Sequence, residues 1–456
     1  MKIYKKRIAF CLSDQHTIPH GGLGQFAKSF VETFTPLGYK IDIICDKAPS
    51  NIDFKRYLEQ EGASFIYPLD PITYSKNSKI FMFEDSYNFE KMINFRDAIM
   101  QALNTNLYDT IICNTLESFP AVHSLSLQKS IQIIYYTHNE SMVFLNDRTW
   151  KNEFSHSFND FFNVLLRCDN IHIGTQTKRN VEELLNDRIF AQHLPIPMPE
   201  KNLLKKHIKP RTGVLWIGRW EPRKNPEEFI RVIQESKLPA KVITNSNGAR
   251  KFEQALKEIG AEYEIKSGIY GKEKVDFLTS ARVDYNPAIR ESFGLAFYET
   301  AGHMPTIVLE NMSWIKNFPT QFYLPTTKKD AVYHIKNCYE QMQDGTYHYD
   351  SKILDRIIEQ DAEGITKWIN VLDNFDSVKS DSDRAKINQE HTISYKDFIK
   401  SLNRKDLAID DIKSVLTNKH KFNIIYTEEN TYLSKDKNYI PKETLKTTAS
   451  LEDLFS

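Results

Sequence analysis

Hydrophobic and polar positions alternate along the chain with two different periods. Short runs rich in Ile, Val and Phe, such as RIAFCLS and DTIICNT, are apolar almost without interruption, which is typical of strands buried on both faces of a parallel sheet. Helix-length amphipathic segments such as GQFAKSFVETFTPLG separate these runs. The pattern therefore predicts an α/β protein in which helices cover both faces of parallel sheets.

The alternation of strands and helices is interrupted by LPIPMPEKNLLKKHIKP, a segment rich in Pro and Lys that is typical of a linker. It resumes with GVLWIGRW. We therefore predict two Rossmann-like, doubly wound domains, residues 1–197 and 212–376, that face a cleft. Ligands of open α/β sheets bind outside the carboxyl ends of the strands, so we expect the chemistry in the loops that follow strands.

The C-terminal part of the sequence follows another pattern. Residues 391–440 predict two amphipathic helices and a hairpin around EEN. This small α+β extension is either a winged-helix-like DNA-binding module or a common filler fold. The tail, residues 441–456, ends in TTASLEDLFS, where one helical turn would place Leu451, Leu454 and Phe455 on one face. These side chains either dock onto their own domain or bind another protein.

Composition narrows the class of protein. The chain has 456 residues, of which 41% are hydrophobic and 12% aromatic, so it supports sizeable cores. No apolar run is long enough to predict a membrane span. The five cysteines have neither metal-ligand spacing nor a paired framework, which favours a reducing cytoplasm.

The charge of the whole chain and the charge of one segment support different interpretations. The formal net charge is zero, which argues mildly against nucleic-acid binding. Residues 201–224, however, carry eight Lys or Arg against one acid, Glu221. This basic segment is either a solvated linker or part of a path for DNA.

The motif ESFGLAFYE, from Glu291 to Glu299, follows the predicted strand RVDYNPA and opens a helix. We expect its two carboxylates, eight positions apart, to lie on roughly the same side of that helix. Gly294 allows a ligand to approach the backbone closely, and the first amides of a helix suit an anion. A sugar nucleotide needs such groups; the alternative is a surface helix with two solvated glutamates.

A second motif, WIGRWEPRKNP, leaves the first strand of the second predicted domain. Arg219 and Lys224 are the cations that a diphosphate would need, because Arg binds phosphate bidentately and Lys acts as a point charge. The alternative is a basic loop. A third motif, HGGLGQF, is a glycine-rich turn before the first helix, where Gly22 and Gly24 expose backbone amides.

A fourth motif, YYTHNE, ends another predicted strand of the first domain. His138 could contact a sugar there, and Glu140 could orient an acceptor. A lone histidine is more often structural, so this motif is weaker than the others.

Together, GGLG, the Arg and Lys pair after WIG, and the E-x7-E spacing resemble the retaining, GT-B-fold glycosyltransferases of family four over about residues 5 to 375. Within that group, GGLGQFAKSF, YYTHNE and ETAGHMPTIVL resemble the DNA α-glucosyltransferases of T-even-type bacteriophages. The sequence departs from the phage pattern at Asn139, where those enzymes have Asp, so Glu140 is the nearest acid for the acceptor.

The resemblance implies a UDP-sugar donor, with glucose as the default sugar and arabinose as an option, and neither a cofactor nor a metal. Glu299 would hold the ribose hydroxyls, Arg219 and Lys224 the diphosphate, and Glu291 the sugar hydroxyls. The donor-binding residues implied in this way are Gly22, Gly24, Arg219, Lys224, Ser292, Phe293, Gly294 and Glu299. Glu291, His138 and Glu140 would be catalytic, with His138 beside the anomeric carbon.

The resemblance also implies an acceptor, 5-hydroxymethylcytosine in double-stranded phage DNA, which would leave the base stack to reach the cleft. The modification would protect DNA from host nucleases in the cytoplasm of an infected cell. Two alternatives remain. One is a bacterial cell-surface glycan or lipid-carrier glycosyltransferase with the same donor site. The other is a non-catalytic, clamp-tethered DNA-binding module.

The tail segment ASLEDLF resembles the C-terminal peptides by which T-even-type phage DNA polymerases hold their sliding clamp. This resemblance implies that Leu451, Leu454 and Phe455 fill an apolar pocket of the clamp while Glu452 and Asp453 stay in water. Such tethering would raise the concentration of the enzyme near newly copied DNA. It would need no membrane contact.

Overall fold

The structure is a computed structural model. It describes residues 4–19, 21–71, 89–115, 118, 131–138, 171–186, 191–207, 210–291, 293–347, 352–373, 423–427, 431–434 and 445–448. These residues divide into two compact units. The first unit contains the described residues up to Thr17, from Val31 to Leu194 and from Trp368 onward. The second unit contains Ile18–Phe30 and Pro195–Lys367. The division differs from the predicted ranges of 1–197 and 212–376, since it falls within the first helix and near the end of the last long one.

The first unit is built on a sheet of seven described strands in the order β3-β2-β1-β4-β5-β6-β7, all paired in parallel. The strands are β1 Lys6–Cys11, β2 Tyr39–Ile44, β3 Ser64–Ile66, β4 Thr110–Cys113, β5 Gln132–Thr137, β6 Ile171–Thr175 and β7 Gln192–His193. The helices before and between them are α1 Gly22–Phe34, α2 Ile52–Gln60, α3 Phe89–Thr105 and α4 Lys178–Asn186, with a 3-10 turn at Asp14–His16.

The apolar runs of this sheet are buried, as their lack of alternation predicts. Every residue of β4 and β5 is buried. Trp368, fully buried on the last helix, packs against Phe34 and Tyr136 with ring centroids 6.3 and 5.5 Å apart. The end of that helix is thereby part of the first unit's core.

The second unit contains six described strands in the order β10-β9-β8-β11-β12-β13, again all parallel. They are β8 Val214–Ile217, β9 Ala240–Thr244, β10 Tyr263–Ser267, β11 Val283–Asn286, β12 Thr306–Leu309 and β13 Leu324–Thr326. The helices are α5 Pro226–Ser236, α6 Ser246–Glu258, α7 Gly271–Thr279, α8 Leu295–Thr300, α9 Ala331–Asp344 and α10 Lys352–Asp373. Shorter 3-10 turns occupy Lys201–Leu204, Pro222–Lys224, Ser313–Asn317 and Thr320–Phe322.

Both faces of this second sheet are covered. Successive residues of a strand point to opposite faces, and successive residues of β8 belong to different core clusters. Val214 and Trp216 lie in one cluster, with Phe229 and Phe252, whereas Leu215 lies in the other. The predicted α/β class with parallel sheets covered on both faces is therefore confirmed.

A separate three-stranded antiparallel sheet lies near the C-terminus, in the order β15-β14-β16. Its strands are β14 Asn423–Thr427, β15 Thr431–Ser434 and β16 Leu445–Thr448. β14 and β15 flank EEN, where a hairpin was predicted, and β16 falls in the segment predicted as a tail. The two helices expected before the hairpin, and Leu451, Leu454 and Phe455, lie outside the described residues.

No helix in the described part of the chain combines the length and the apolar character that crossing a membrane requires.

Candidate active site

The two glutamates of ESFGLAFYE occupy different kinds of backbone. Glu299 lies in α8, a helix of 6 residues, whereas Glu291 lies in the loop between β11 and α8. The expectation that both lie on one helix was wrong. Gly294, the residue before α8, has a φ of 88°, and this left-handed conformation cannot continue into a right-handed helix. A loop therefore positions Glu291, whereas a helix positions Glu299.

Aromatic side chains hold that loop in place. A Cβ built on Gly294 would lie 3.1 Å from the ring of Trp314 and 3.2 Å from Phe318, so this position has little room for a side chain. Trp314 is fully buried, and its indole nitrogen donates a hydrogen bond of 2.9 Å to the carbonyl oxygen of Ala288. Close packing and a positive φ both require glycine here.

Lys224 and Glu291 meet although 67 positions separate them in sequence. Nζ of Lys224 forms an ion pair with Oε1 of Glu291, and their side chains are 14% and 9% exposed. The backbone supports this contact, because Ile289 donates from its amide to the carbonyl oxygen of Arg223 at 2.9 Å. The structure thus joins the cation of one predicted motif to the first acid of the other.

Arg219 lies in the loop after β8 and is also paired. Its Nε lies 2.9 Å from Oε1 of Glu221, while Nε of Arg223 lies 2.8 Å from Oε2 of the same carboxylate. Burial would raise the pKa of Glu221, but the hydrogen bond from Arg223 and the charges of Arg219, Arg223 and Lys224 bring it below its ordinary value. Glu221 therefore stays ionised and organises the cations around it.

The basic segment 201–224 is engaged with the protein at several points. Nζ of Lys201 lies 3.0 Å from Oδ2 of Asp361, and Arg211 donates to the carbonyl oxygen of His303. Because Arg219, Arg223 and Lys224 are also paired with acids, only part of the segment's charge is available to a polyanion.

Glu299 lies in a drier environment than Glu291. It forms an ion pair with Lys274, in the first turn of α7, and the two side chains are 3% and 6% exposed. Burial raises the pKa of Glu299, and Lys274 opposes that rise through its charge and its hydrogen bond. The local sequence GKEKVDF is typical of an ordinary surface helix and does not indicate this role for Lys274.

The described hydrogen bonds of His138, the predicted histidine of the first unit, are with uncharged amide groups. His138 directly follows β5, and its Nε2 is hydrogen-bonded to Oδ1 of Asn114, which follows β4. Its carbonyl oxygen accepts from the side-chain Nε2 of Gln176, which follows β6. Burial lowers the pKa of His138 to about 3, and nearby His16 adds to the effect. The imidazole is therefore neutral at physiological pH.

Asn114 and Gln176 were missed in the sequence, although each stands where a polar residue ends an apolar strand. β4, β5 and β6 are neighbours in one parallel sheet, so their carboxyl ends lie side by side. Both residues could have been predicted from the rule that ligands bind at the carboxyl ends of parallel strands. Glu140 and Ser292, also predicted at the site, lie outside the described residues.

Gly22 and Gly24 fall in the first turn of α1. No atom lies within 4 Å of a Cβ built on Gly22, so the space beside it is open. Phe293, which follows Ser292, packs instead against Tyr298 and Phe318, with centroids 5.6 and 5.4 Å apart. The described ring contacts of Phe293 are thus with other aromatic side chains of the second unit.

Within the described ranges, no group of three or more His, Cys, Asp or Glu side chains is arranged to hold a metal ion. The described charged groups of the candidate site are lysines, arginines and glutamates, which suit hydroxyls and phosphates.

Comparison with known proteins defines the fold class. No protein-family model matches the chain, and no curated protein matches it in sequence. Its two-sheet architecture is that of GT-B glycosyltransferases, as solved structures at low sequence identity establish.

Three of these structures illustrate the likeness. HepE of Anabaena, in complex with UDP and glucose, is 13% identical with a TM-score of 0.58, over 82% of this chain and 100% of that one. The pneumococcal O-GlcNAc transferase GtfA, in complex with UDP and GlcNAc, is 12% identical with a TM-score of 0.57, over 81% and 99%. WaaG, a glycosyltransferase involved in lipopolysaccharide biosynthesis, is 12% identical with a TM-score of 0.51, over 82% and 100%.

Proposed function

We propose that the chain is a retaining glycosyltransferase that uses a UDP-sugar. The observation that carries this proposal is the contact between Lys224 and Glu291, with Glu299 at the end of the short helix that follows. A cation and two carboxylates on the loops of a parallel sheet meet the needs of a sugar nucleotide, and similar folds bind UDP in HepE and GtfA.

In the proposed complex each part of the donor has its own partners. Glu299 accepts hydrogen bonds from the ribose hydroxyls, and Glu291 accepts from the sugar hydroxyls. Arg219 and Lys224 neutralise the diphosphate, together with backbone amides near Gly22 to Gly24 and near Gly294. Since Arg219 and Lys224 are each paired with an acid, a diphosphate would compete with these carboxylates for them.

The proposed chemical step needs no protein nucleophile. The acceptor hydroxyl oxygen forms a bond to the anomeric carbon on the face that the phosphate leaves, so the configuration is retained. The bond between that carbon and the phosphate oxygen breaks, and the departing oxygen takes the acceptor's proton. Lys224 and Arg219 stabilise the negative charge that develops on UDP. His138, being neutral, contributes a hydrogen bond rather than a positive charge.

For the acceptor we propose 5-hydroxymethylcytosine in double-stranded phage DNA. The support is the sequence resemblance of YYTHNE and ETAGHMPTIVL to phage DNA α-glucosyltransferases. Glu140 is the proposed acid nearest the acceptor. The base would have to leave the duplex stack to reach the sugar of the donor.

A second candidate acceptor is a bacterial cell-surface glycan or a lipid-carried sugar. The observation that favours it is that WaaG, which has a similar fold, is involved in lipopolysaccharide biosynthesis. The two candidates share the donor site, so only an assay of acceptors separates them.

The deciding experiment offers the protein a panel of UDP-sugars with duplex DNA containing 5-hydroxymethylcytosine, with unmodified duplex DNA, or with a glycan acceptor. Mass spectrometry of digested nucleosides would show one added sugar on hydroxymethylcytosine alone. Transfer to the glycan but not to DNA would establish the second candidate. If no donor releases UDP under any condition, the glycosyltransferase assignment is wrong and a binding module is favoured.

We also propose that the tail binds a phage sliding clamp through Leu451, Leu454 and Phe455. Deleting residues 449–456 leaves β16 intact, because that strand ends at Thr448. The truncated protein should transfer sugar to free oligonucleotides at the full rate and lose clamp binding in a pull-down or surface-plasmon assay. Equal clamp binding by the two proteins would reject this role.

A further inference from the structure

Four charged side chains are buried together in the second unit, and three of them, Lys28, Glu200 and Lys274, are not among the site residues predicted from the sequence. Lys28 of α1 pairs with Glu200 at 2.9 Å, and their side chains are 0% and 4% exposed. Lys274 pairs with Glu299, also almost fully buried. Buried charges are costly unless paired, and the two lysines and two glutamates together carry no net charge.

Glu200 ties the two pairs together. One of its oxygens accepts from Nζ of Lys28, which also donates to the carbonyl oxygen of Pro199 at 2.6 Å. The other accepts from the backbone amide of Gly271 at 3.1 Å, the first residue of α7. Lys274 lies in the same helical turn as Gly271. The start of α7, and with it Lys274, is therefore fixed by a buried carboxylate.

The charges around Glu299 act in opposite directions. Burial and the neighbouring Glu200 raise its pKa, whereas Lys274 and, more weakly, Lys28 lower it. Lys274 is the strongest of the opposing groups. The ionised state of Glu299 thus depends on one lysine more than on any other neighbour.

We propose that Lys274 is a positioning residue that keeps Glu299 ionised and oriented to accept hydrogen bonds from the ribose hydroxyls of the donor. The inference rests on the proposed function of Glu299 in donor binding. A carboxylate accepts from two hydroxyl groups at once, whereas a protonated carboxyl loses part of that capacity. Lys274 need not touch the donor to control its affinity.

The test measures UDP affinity by calorimetry between about pH 7 and about pH 9 for the wild-type protein, Lys274→Met and Lys274→Arg. Without the lysine the pKa of Glu299 rises, so its ionised form returns only at higher pH. Lys274→Met should bind UDP about tenfold more weakly at the lower pH and recover as the pH rises. Lys274→Arg keeps the positive charge and should restore affinity at both values.

Lys241→Met is the matched control. Lys241 is also a buried lysine of the second unit, but it pairs with the half-exposed Glu264 at 2.8 Å and with Ser280 at the far end of α7. This variant should bind UDP like the wild type at every pH. If Lys274→Met does not fold, as judged by circular dichroism, Lys274→Gln keeps a hydrogen-bond donor without the charge and should show the same pH dependence.

The outcomes separate the two proposals. Unchanged UDP affinity in Glu299→Gln overturns the proposed function itself. A loss in Glu299→Gln together with wild-type affinity of Lys274→Met at all pH values overturns only the role of Lys274. A loss in Lys274→Met that is equal at all pH values also overturns it, because that result indicates a structural role.

Discussion

The candidate site residues of the two units differ in charge. In the second unit, Lys224 and Glu291, which follow β8 and β11, form one ion pair, and Lys274 of α7 and Glu299 of α8 form another. In the first unit the loops after β4, β5 and β6 carry the neutral cluster of Asn114, His138 and Gln176. Full charges suit a diphosphate, whereas neutral donors and acceptors suit hydroxyl groups. One sheet geometry therefore supports two chemically different surfaces.

The largest effect should come from Glu299→Ala, which removes the proposed ribose ligand and leaves Lys274 buried without its partner. We expect a loss of about a thousandfold in UDP affinity, and a similar loss for uridine, because ribose is common to both. Isothermal calorimetry with each ligand measures this. Glu264→Ala, the acid partner of Lys241, is the control, and wild-type affinity of Glu299→Ala for UDP would refute the assignment.

Lys224→Met should have the next largest effect, and a more selective one. It removes a cation proposed to contact the diphosphate, so UDP should bind roughly ten to a hundred times more weakly. Uridine, which has no phosphate, should bind as before. Lys224→Arg keeps the charge and should recover part of the UDP affinity. Equal losses for UDP and uridine would mean that Lys224 only maintains the fold of the loop.

Gly294→Ala should destabilise the second unit by about 1 to 3 kcal/mol, because it combines a left-handed backbone with a contact against Trp314. Gly260→Ala is the matched control, since Gly260 has a φ of 64° but no atom within 4 Å of the added Cβ. Urea unfolding gives both values. If the two variants lose the same free energy of unfolding, the packing of Gly294 against Trp314 and Phe318 contributes little to stability.

The smallest effect concerns His138 and its pH dependence. The pKa of His138 in the folded protein, about 3, lies below the ordinary value of about 6.5. At a pH between these two values the unfolded chain therefore binds more protons than the folded protein does. Acidification from about pH 7 to about pH 5 should therefore destabilise the first unit by about 1 to 2 kcal/mol through this group. His138→Gln should lack this part of the loss in urea unfolding; an unchanged pH dependence would argue against a buried, neutral His138.

The sequence predicted the strands and their loops well, because buried parallel strands have an unmistakable apolar pattern. It also selected Lys224, Glu291 and Glu299 from local motifs. It placed Glu291 on a helix, however, because it does not reveal the positive φ of Gly294 or its close packing against Trp314 and Phe318, which follow later in the chain. Pattern alone cannot supply such a contact.

Ion-pair partners that lie far apart in sequence could not be predicted either. A lysine in an amphipathic helix is normally placed in solvent, and nothing in GKEKVDF distinguishes Lys274 from Lys272, although the first is buried and the second is exposed. Lys28 was hidden in the same way, since its partner Glu200 lies 172 positions away. Buried ion pairs of this kind become visible only when the backbone brings the elements together.

The division of α1 between the two units has a practical consequence for dissecting the protein. Residues 195–367 look like a natural fragment to express alone, but the compact unit also contains Ile18–Phe30. Without that segment, Glu200 would lose Lys28 and remain buried without its ion-pair partner. A recombinant fragment should therefore carry residues 18–30 joined through a linker, or the isolated piece will be unstable for a reason unrelated to its own sheet.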